Sequence, residues 1–136
     1  MAARGIRNNN PLNIRKGNKW QGEREHQTDP VFEEFKSMEY GLRAGFKLMK
    51  NYIEGRTATR VKYNTISKLV SRWAPPIENA TDRYIRFVAD SAKRNPLEVI
   101  DFNDKSLMVE ICAAMVKVEC GTTIEKEVIQ SAYEML

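Results

Sequence analysis

Ser37-Met38-Glu39-Tyr40-Gly41-Leu42-Arg43-Ala44-Gly45-Phe46-Lys47-Leu48-Met49-Lys50-Asn51-Tyr52-Ile53-Glu54-Gly55 reads as one amphipathic helix. Met38, Leu42, Phe46, Met49 and Ile53 recur at intervals of three and four residues, which places them on one helix face. Ser37 can accept a hydrogen bond from the first exposed backbone N–H groups, and Gly55 can adopt the left-handed conformation that ends a helix. The same pattern returns on the C-terminal side. Thr65 caps a helix with Ile66, Leu69, Val70 and Trp73 inward, stopped by Pro75 and Pro76. Thr81 begins another, with Tyr84, Ile85, Val88 and Ala92 on one side, ending before Pro96. A fourth over 106–119 carries Leu107, Ile111, Ala114, Met115 and Val118 and closes at Gly121. Thr122 and Glu125 form a capping-box pattern for a last helix that buries Ile124, Val128, Ile129, Ala132 and Tyr133.

Towards the N-terminus the periodicity is lost. Asn8-Asn9-Asn10-Pro11 is a turn-rich start. Lys19–Glu23 and Val31–Phe35 read as two short extended pieces around Asp29-Pro30, a small irregular hairpin within residues 19–35. The expectation is a mainly-α fold, one domain over residues 1–136, with five helices and a short β-like excursion. At 42% hydrophobic and 29% charged residues, the composition is that of a folded soluble chain, so disorder beyond the first residues is not expected. No apolar run approaches a membrane span, so no stable membrane insertion is expected. The first residues lack the apolar centre of a signal peptide, so the protein is expected to be made in the cytoplasm.

Net charge is +4, enough for weak attraction to an anionic polymer, but no tract of clustered Lys and Arg marks a nucleic-acid footprint. No nucleic-acid partner and no cofactor are expected. The single histidine, His26, reads as an exposed loop residue and excludes a His-based metal cluster, so no metal is expected either. A phosphate loop is excluded because no Gly-rich strand-to-helix turn exists. Cys112 and Cys120 share one helix, where eight residues separate them by about 12 Å along the axis, too far for a disulfide. Free thiols fit a reducing compartment. Cys120 at a helix C-terminus faces the negative end of the dipole, which disfavours a nucleophilic thiolate, and Cys112 is packed mid-helix.

Carboxylate chemistry remains. In Ala114-Met115-Val116-Lys117-Val118-Glu119-Cys120-Gly121, Glu119 ends an apolar helix just before a glycine. It stands at the edge of the buried face and near the negative end of the helix dipole, a setting suited to a group that must deliver a proton to a glycosidic oxygen. The plainer alternative is an exposed residue of the last turn.

Asn10-Pro11-Leu12-Asn13-Ile14-Arg15-Lys16-Gly17, then Trp20-Gln21-Gly22, Phe32 and Phe35, and Ser37-Met38-Glu39-Tyr40-Gly41-Leu42-Arg43-Ala44, resemble a stretch of bacterial glucosaminidases and related lysozyme-fold hydrolases. This likeness covers about the first third of the chain. The Asn-Asn-Asn-Pro start, with Trp73-Ala74-Pro75-Pro76, Glu78-Asn79, Thr81 and Tyr84, also resembles small phage and prophage virion or lytic proteins over most of its length. The resemblance implies a lysozyme-like fold and cleavage of peptidoglycan glycan strands, by a muramidase or lytic-transglycosylase reaction. The protein would act on the wall after release or as part of a virion, as a monomer.

One departure matters. In the lysozyme-fold relatives the catalytic Glu closes a helix that precedes the Asn-containing loop, whereas here no acidic residue stands among the nine before Asn10. Val118-Glu119-Cys120-Gly121 looks like the ending of that missing helix, which implies a circular permutation that packs 106–119 against the loop at 8–17. Trp20, Tyr40, Trp73 and Tyr84 are candidates to stack on sugar rings, and Asn13, Asn79 and Thr81 to bond hydroxyl and acetamido groups. Core packing is the alternative for Trp73 and Tyr84, a helix cap for Thr81 and a turn for Asn79. A second carboxylate could come from Glu23, Glu25, Asp29, Glu33 or Glu34, none at a distinctive spacing. The resemblance implies that Glu119 alone suffices, giving a 1,6-anhydro end. The competing reading is a non-catalytic wall-binding or virion structural protein on the same fold; a basic helical nucleic-acid binder is a third.

Overall fold

The computed structural model describes residues 3–74 and 78–136, with the backbone alone for residues 78 and 79. The described residues form six helices in the order α1 (Arg4–Arg7), α2 (Met38–Glu54), α3 (Ile66–Trp73), α4 (Glu78–Ala92), α5 (Lys105–Cys120) and α6 (Lys126–Glu134). The fold is mainly helical. Three isolated antiparallel bridges are its only β pairing among the described residues. The chain divides into two compact units, one of Met1–Lys47 with Val116–Leu136 and one of Leu48–Met115, so α2 and α5 each contribute to both.

The first unit is organised by its polar residues as much as by its core. Leu12, Ile14, Phe35, Leu42, Phe46 and Ile129 are buried, and so are Asn8, Asn10, Asp29, Glu33 and Glu34. Asn10 is fully sealed from solvent. Its Nδ2 donates to the carbonyls of Ile14 at 2.9 Å and Glu33 at 3.0 Å, and its Oδ1 accepts from the Ile14 N–H at 2.9 Å. The Phe35 N–H donates to the Asn8 carbonyl, and Asn9 Nδ2 donates to the Phe35 carbonyl. The Asp29 carboxylate accepts from Arg4 Nε and Nη2, from Asn8 Nδ2 and from the N–H groups of Val31 and Phe32. The Arg4 guanidinium holds the Asp29 carboxyl far below the usual carboxylate range, with Asn8 and the two N–H groups assisting against burial.

The extended segment differs from a hairpin of residues 19–23 with 31–35. Residues 31–36 form the middle piece of three. Arg15 bridges Phe32 on one side and Glu23 bridges Phe35 on the other. The Lys16 and Glu33 N–H groups donate to Val31 and Ile14, and those of Arg24 and Lys36 donate to Glu34 and Gly22. The partner on the first side, residues 14–16, comes from the Asn-rich loop, a long-range pairing that alternation within 19–35 does not encode.

Helix α2 follows the expected bounds, and Ser37 Oγ accepts from the Tyr40 N–H at 3.3 Å. Gly41 is obligatory for its packing, because a Cβ there would run into the Asn9 carbonyl. The last helix departs from expectation. It starts after Glu125, which occupies the N-cap without a side-chain bond, so Thr122 lies outside the helix and no capping box forms. Phe46 and Tyr133 meet edge to face at 5.4 Å.

The second unit buries Met49, Ile53, Ile66, Leu69, Val70, Val88, Phe102, Ile111 and Met115, and α3 packs on α4. Thr65 caps α3 as expected, accepting from the Lys68 N–H at 3.0 Å. Ala74, extended at φ −85 and ψ 155, ends the helix. Pro75 and Pro76, expected to stop it, lie outside the described residues. Helix α4 begins at Glu78, so Thr81 sits inside its first turn and does not start it. Asp104 Oδ1 accepts from the Leu107 N–H at 3.2 Å, which begins α5 close to the expected position.

Asn10→Ala should lower the unfolding free energy by about 2–4 kcal/mol, since it strands two carbonyls and one N–H in the interior. Urea titration followed by circular dichroism measures this. A loss below about 0.5 kcal/mol, the scale of an ordinary surface change, would remove Asn10 from its place as organiser of the loop.

Candidate functional site

Two carboxyl groups of the first unit stand out, and both flank the loop that Asn10 organises. Glu119, half-buried at the C-terminal end of α5, meets Asn13. Asn13 Nδ2 donates to Glu119 Oε1 at 3.0 Å and lies 3.4 Å from the Glu119 carbonyl, joining positions 106 residues apart. Asn13 has φ 54, a left-handed conformation that asparagine tolerates better than most residues. The Cys120 thiol donates to the Pro11 carbonyl at 3.0 Å in the same contact. Gly5 permits it, since a Cβ there would strike the Asn10 carbonyl, Cys120 Sγ and Asn13 Oδ1. The end of α5 thus lies on the loop at 8–17.

Glu33 is the second group. It is only 4% exposed, and its Oε2 has no hydrogen-bond partner. Burial, then the neighbouring Glu23 carboxyl, push Glu33 up to about 7, against a smaller opposing pull from Lys16. Glu33 therefore keeps a proton close to neutral pH. Glu23 Oε1 also accepts from the Trp20 N–H at 3.2 Å. Glu34, one residue on, behaves oppositely. Burial opposes its charge, but hydrogen bonds from Thr28 and Asp29 and the Arg24 cation hold its carboxyl below the ordinary value. Adjacent residues of an extended segment face opposite ways, which separates the two environments. Sequence spacing offered Glu23 and Glu33 without distinguishing them, because the signal is burial.

The sugar-contact candidates divide between the units. In the first, Trp20 is half-buried, with Nε1 sealed and without a hydrogen-bond partner. Tyr40 is half-buried and its ring lies against Gly22, which has φ 82. Trp20 Nε1, Glu33 Oε2 and Arg43 Nε, the buried side-chain polar atoms without a partner among the described residues, all belong to this unit. In the second unit, Trp73 meets Tyr52 edge to face at 6.1 Å, Tyr84 is 7% exposed in the core, and Thr81 is half-buried. The Asn79 side chain lies outside the described residues.

Other chemistries find little support. Burial raises the Cys112 thiol far above its ordinary value, and burial with the neighbouring Glu119 charge pushes Cys120 up to about 11, so neither is a ready nucleophile. His26 is exposed. Among the described residues no cluster of three or more His, Cys, Asp or Glu could hold a metal ion. No described helix is long and apolar enough to cross a membrane.

No family model matches the chain. It is, however, 41% identical over 127 residues to "Protein P5" of Pseudoalteromonas phage PM2, covering 89% of this chain and 73% of that protein. The chain belongs to the family of this phage protein. Membership in the P5 family is consistent with the phage resemblance of the Asn-Asn-Asn-Pro start and the Trp73–Tyr84 stretch.

The raised Glu33 carboxyl makes stability depend on pH. The folded protein keeps its proton up to about 7, whereas an unfolded chain releases it near 4.5. This contribution to stability is full below pH 4.5 and is lost as pH rises through 7. A decline on the order of 1–3 kcal/mol is expected over that window, and Glu33→Gln should flatten it. Denaturant titrations at several pH values measure it, and a parent profile as flat as that of the variant would contradict the proton held by Glu33.

Proposed function

We propose that this protein cleaves the glycan strands of bacterial peptidoglycan, with Glu119 as general acid on a lysozyme-like, circularly permuted fold. The observation that carries this reading is the bond from Asn13 Nδ2 to Glu119 Oε1 at 3.0 Å. It ties the proposed acid to the Asn-containing loop, the juxtaposition expected if the catalytic helix has moved from before that loop to the C-terminal side of the chain. Membership in a phage protein family agrees with the phage origin that the reading assumes, and the wall-directed role, reached by release or within a virion, rests on the Glu119 site.

The chemistry follows from one carboxylic acid. The Asn13 amide fixes the orientation of the Glu119 carboxyl. Glu119 gives its proton to the glycosidic oxygen as the bond from that oxygen to C1 breaks. In the single-acid route the 6-hydroxyl of the same sugar closes on C1, and its proton returns to the Glu119 carboxylate. The product is a 1,6-anhydro end, with no water consumed. Trp20 and Tyr40 supply apolar surface for sugar rings in the same unit as Glu119.

Glu119→Gln should keep the fold and reduce release of muropeptides from purified walls by about 10²- to 10⁴-fold, because an amide cannot deliver the proton. Glu110→Gln and Glu125→Gln serve as controls and should release muropeptides at the parent rate. Mass spectrometry of the products distinguishes anhydro from hydrolysed ends. If Glu119→Gln equals the parent, the acid is elsewhere, with the Glu23 and Glu33 pair next. A parent that releases nothing from any wall would put the non-catalytic wall-binding reading in place of this one.

A further inference from the structure

The second unit carries a feature unrelated to the proposed acid. Residues 55–77 contain no Asp or Glu but five cations, Arg56, Arg60, Lys62, Lys68 and Arg72, so this stretch carries +5 and the rest of the chain −1, for the net +4. Arg56 is neutralised by Glu54 at 2.7 Å. Arg60, Lys62, Lys68 and Arg72 are exposed, and among the described residues none pairs with a carboxylate. Uncompensated cations close together in one segment, two in the loop and two on α3, repel each other and gain from a shared anion.

The fold gives these charges a recess. A cavity of about 210 Å³ is lined by Thr57, Ala58, Thr59, Tyr63 and Arg72. Its loop is held on both sides. The Arg56 N–H donates to Asn51, the Tyr63 N–H donates to Tyr52, and the Arg60 N–H closes a turn on Thr57, with Arg60 at φ 60. The Arg72 guanidinium stacks 4.7 Å above the Tyr52 ring, which also meets the lining residue Tyr63 edge to face. The hydroxyls of Thr57 and Thr59 lie 3.3 Å apart. A stacked guanidinium is pre-oriented with its donors in one plane, and two neighbouring hydroxyls can turn their protons to the same acceptor.

We propose that this recess is a binding site for a phosphate group, held by Arg72 with the hydroxyls of Thr57 and Thr59. Three donor groups lining one recess suit a tetrahedral oxyanion with several acceptor oxygens, and the nearby exposed cations of the same segment, Arg60, Lys62 and Lys68, favour one carrying more than a single negative charge. Free phosphate and a phospholipid headgroup present the same chemistry.

The test titrates the full chain with inorganic phosphate at constant ionic strength and follows amide shifts by NMR. The expected result is saturable movement of the amides of residues 57–63, with affinity reduced about tenfold or more in Arg72→Gln and in Thr57→Val with Thr59→Val, as expected for charge-assisted hydrogen bonds. Circular dichroism establishes that each variant is folded. Flotation with phosphatidylglycerol and phosphatidylcholine vesicles then assigns the source. Capture by the anionic vesicles that needs Arg72 and both threonines points to a headgroup, and phosphate binding without capture points to free phosphate. Shifts that do not saturate, that sodium chloride reproduces, or that persist in Arg72→Gln would overturn the site. So would duplex DNA binding that depends on Arg60, Lys62 and Lys68 but is indifferent to the threonines, since the recess would then play no part.

Discussion

A buried amide must find partners inside the protein, and Asn10 finds three within two segments far apart in sequence. Its side chain bonds Ile14 on its own loop and Glu33 on the extended segment, while the flanking Asn8 and Asn9 bond Asp29 and Phe35. Each bond alone contributes about 1 kcal/mol, but leaving any of these groups dry and unpaired costs more than that. The polar requirement therefore fixes the loop more tightly than its few apolar residues could. Much else in the first unit depends on it. The close approach of α2 at Gly41 needs the Asn9 carbonyl in place, and Asn13 reaches Glu119 only from this loop.

The same constraint accounts for the contrasting carboxyl groups. Asp29 and Glu34 are buried but saturated with donors, so they carry their charge. Glu33 is buried to a similar degree but faces Glu23 and lacks a donor for Oε2, so it keeps a proton. Natural folds satisfy buried polar atoms with few exceptions. Exceptions in the first unit, at Trp20, Glu33 and Arg43, fall in the unit that holds the proposed acid. The second unit shows the complementary arrangement, where an aromatic cluster of Tyr52, Tyr63 and Trp73 supports an uncompensated guanidinium at the surface.

The helices were legible in the sequence because their signals are local. Ser37 and Thr65 cap the helices they precede, and α2 and α5 run nearly as their apolar spacing predicts. The Thr122–Glu125 pattern misled because a capping box works only if the helix starts directly after its threonine, and α6 starts three residues later. The short helix α1, of four residues, has no room for a periodic signal.

What the sequence by itself determined is a mainly helical chain, its principal helix boundaries, and Glu119 as a carboxyl at the end of an apolar helix. Each of these rests on residues a few positions apart, where backbone geometry converts spacing into a shared face. Only the tertiary structure decided that Asn13 holds Glu119, that Glu33 is paired with Glu23, and that residues 31–36 take a partner on both sides. Those outcomes depend on which groups are removed from water together. Desolvation is set by neighbours brought in from anywhere along the chain, so no local pattern encodes it.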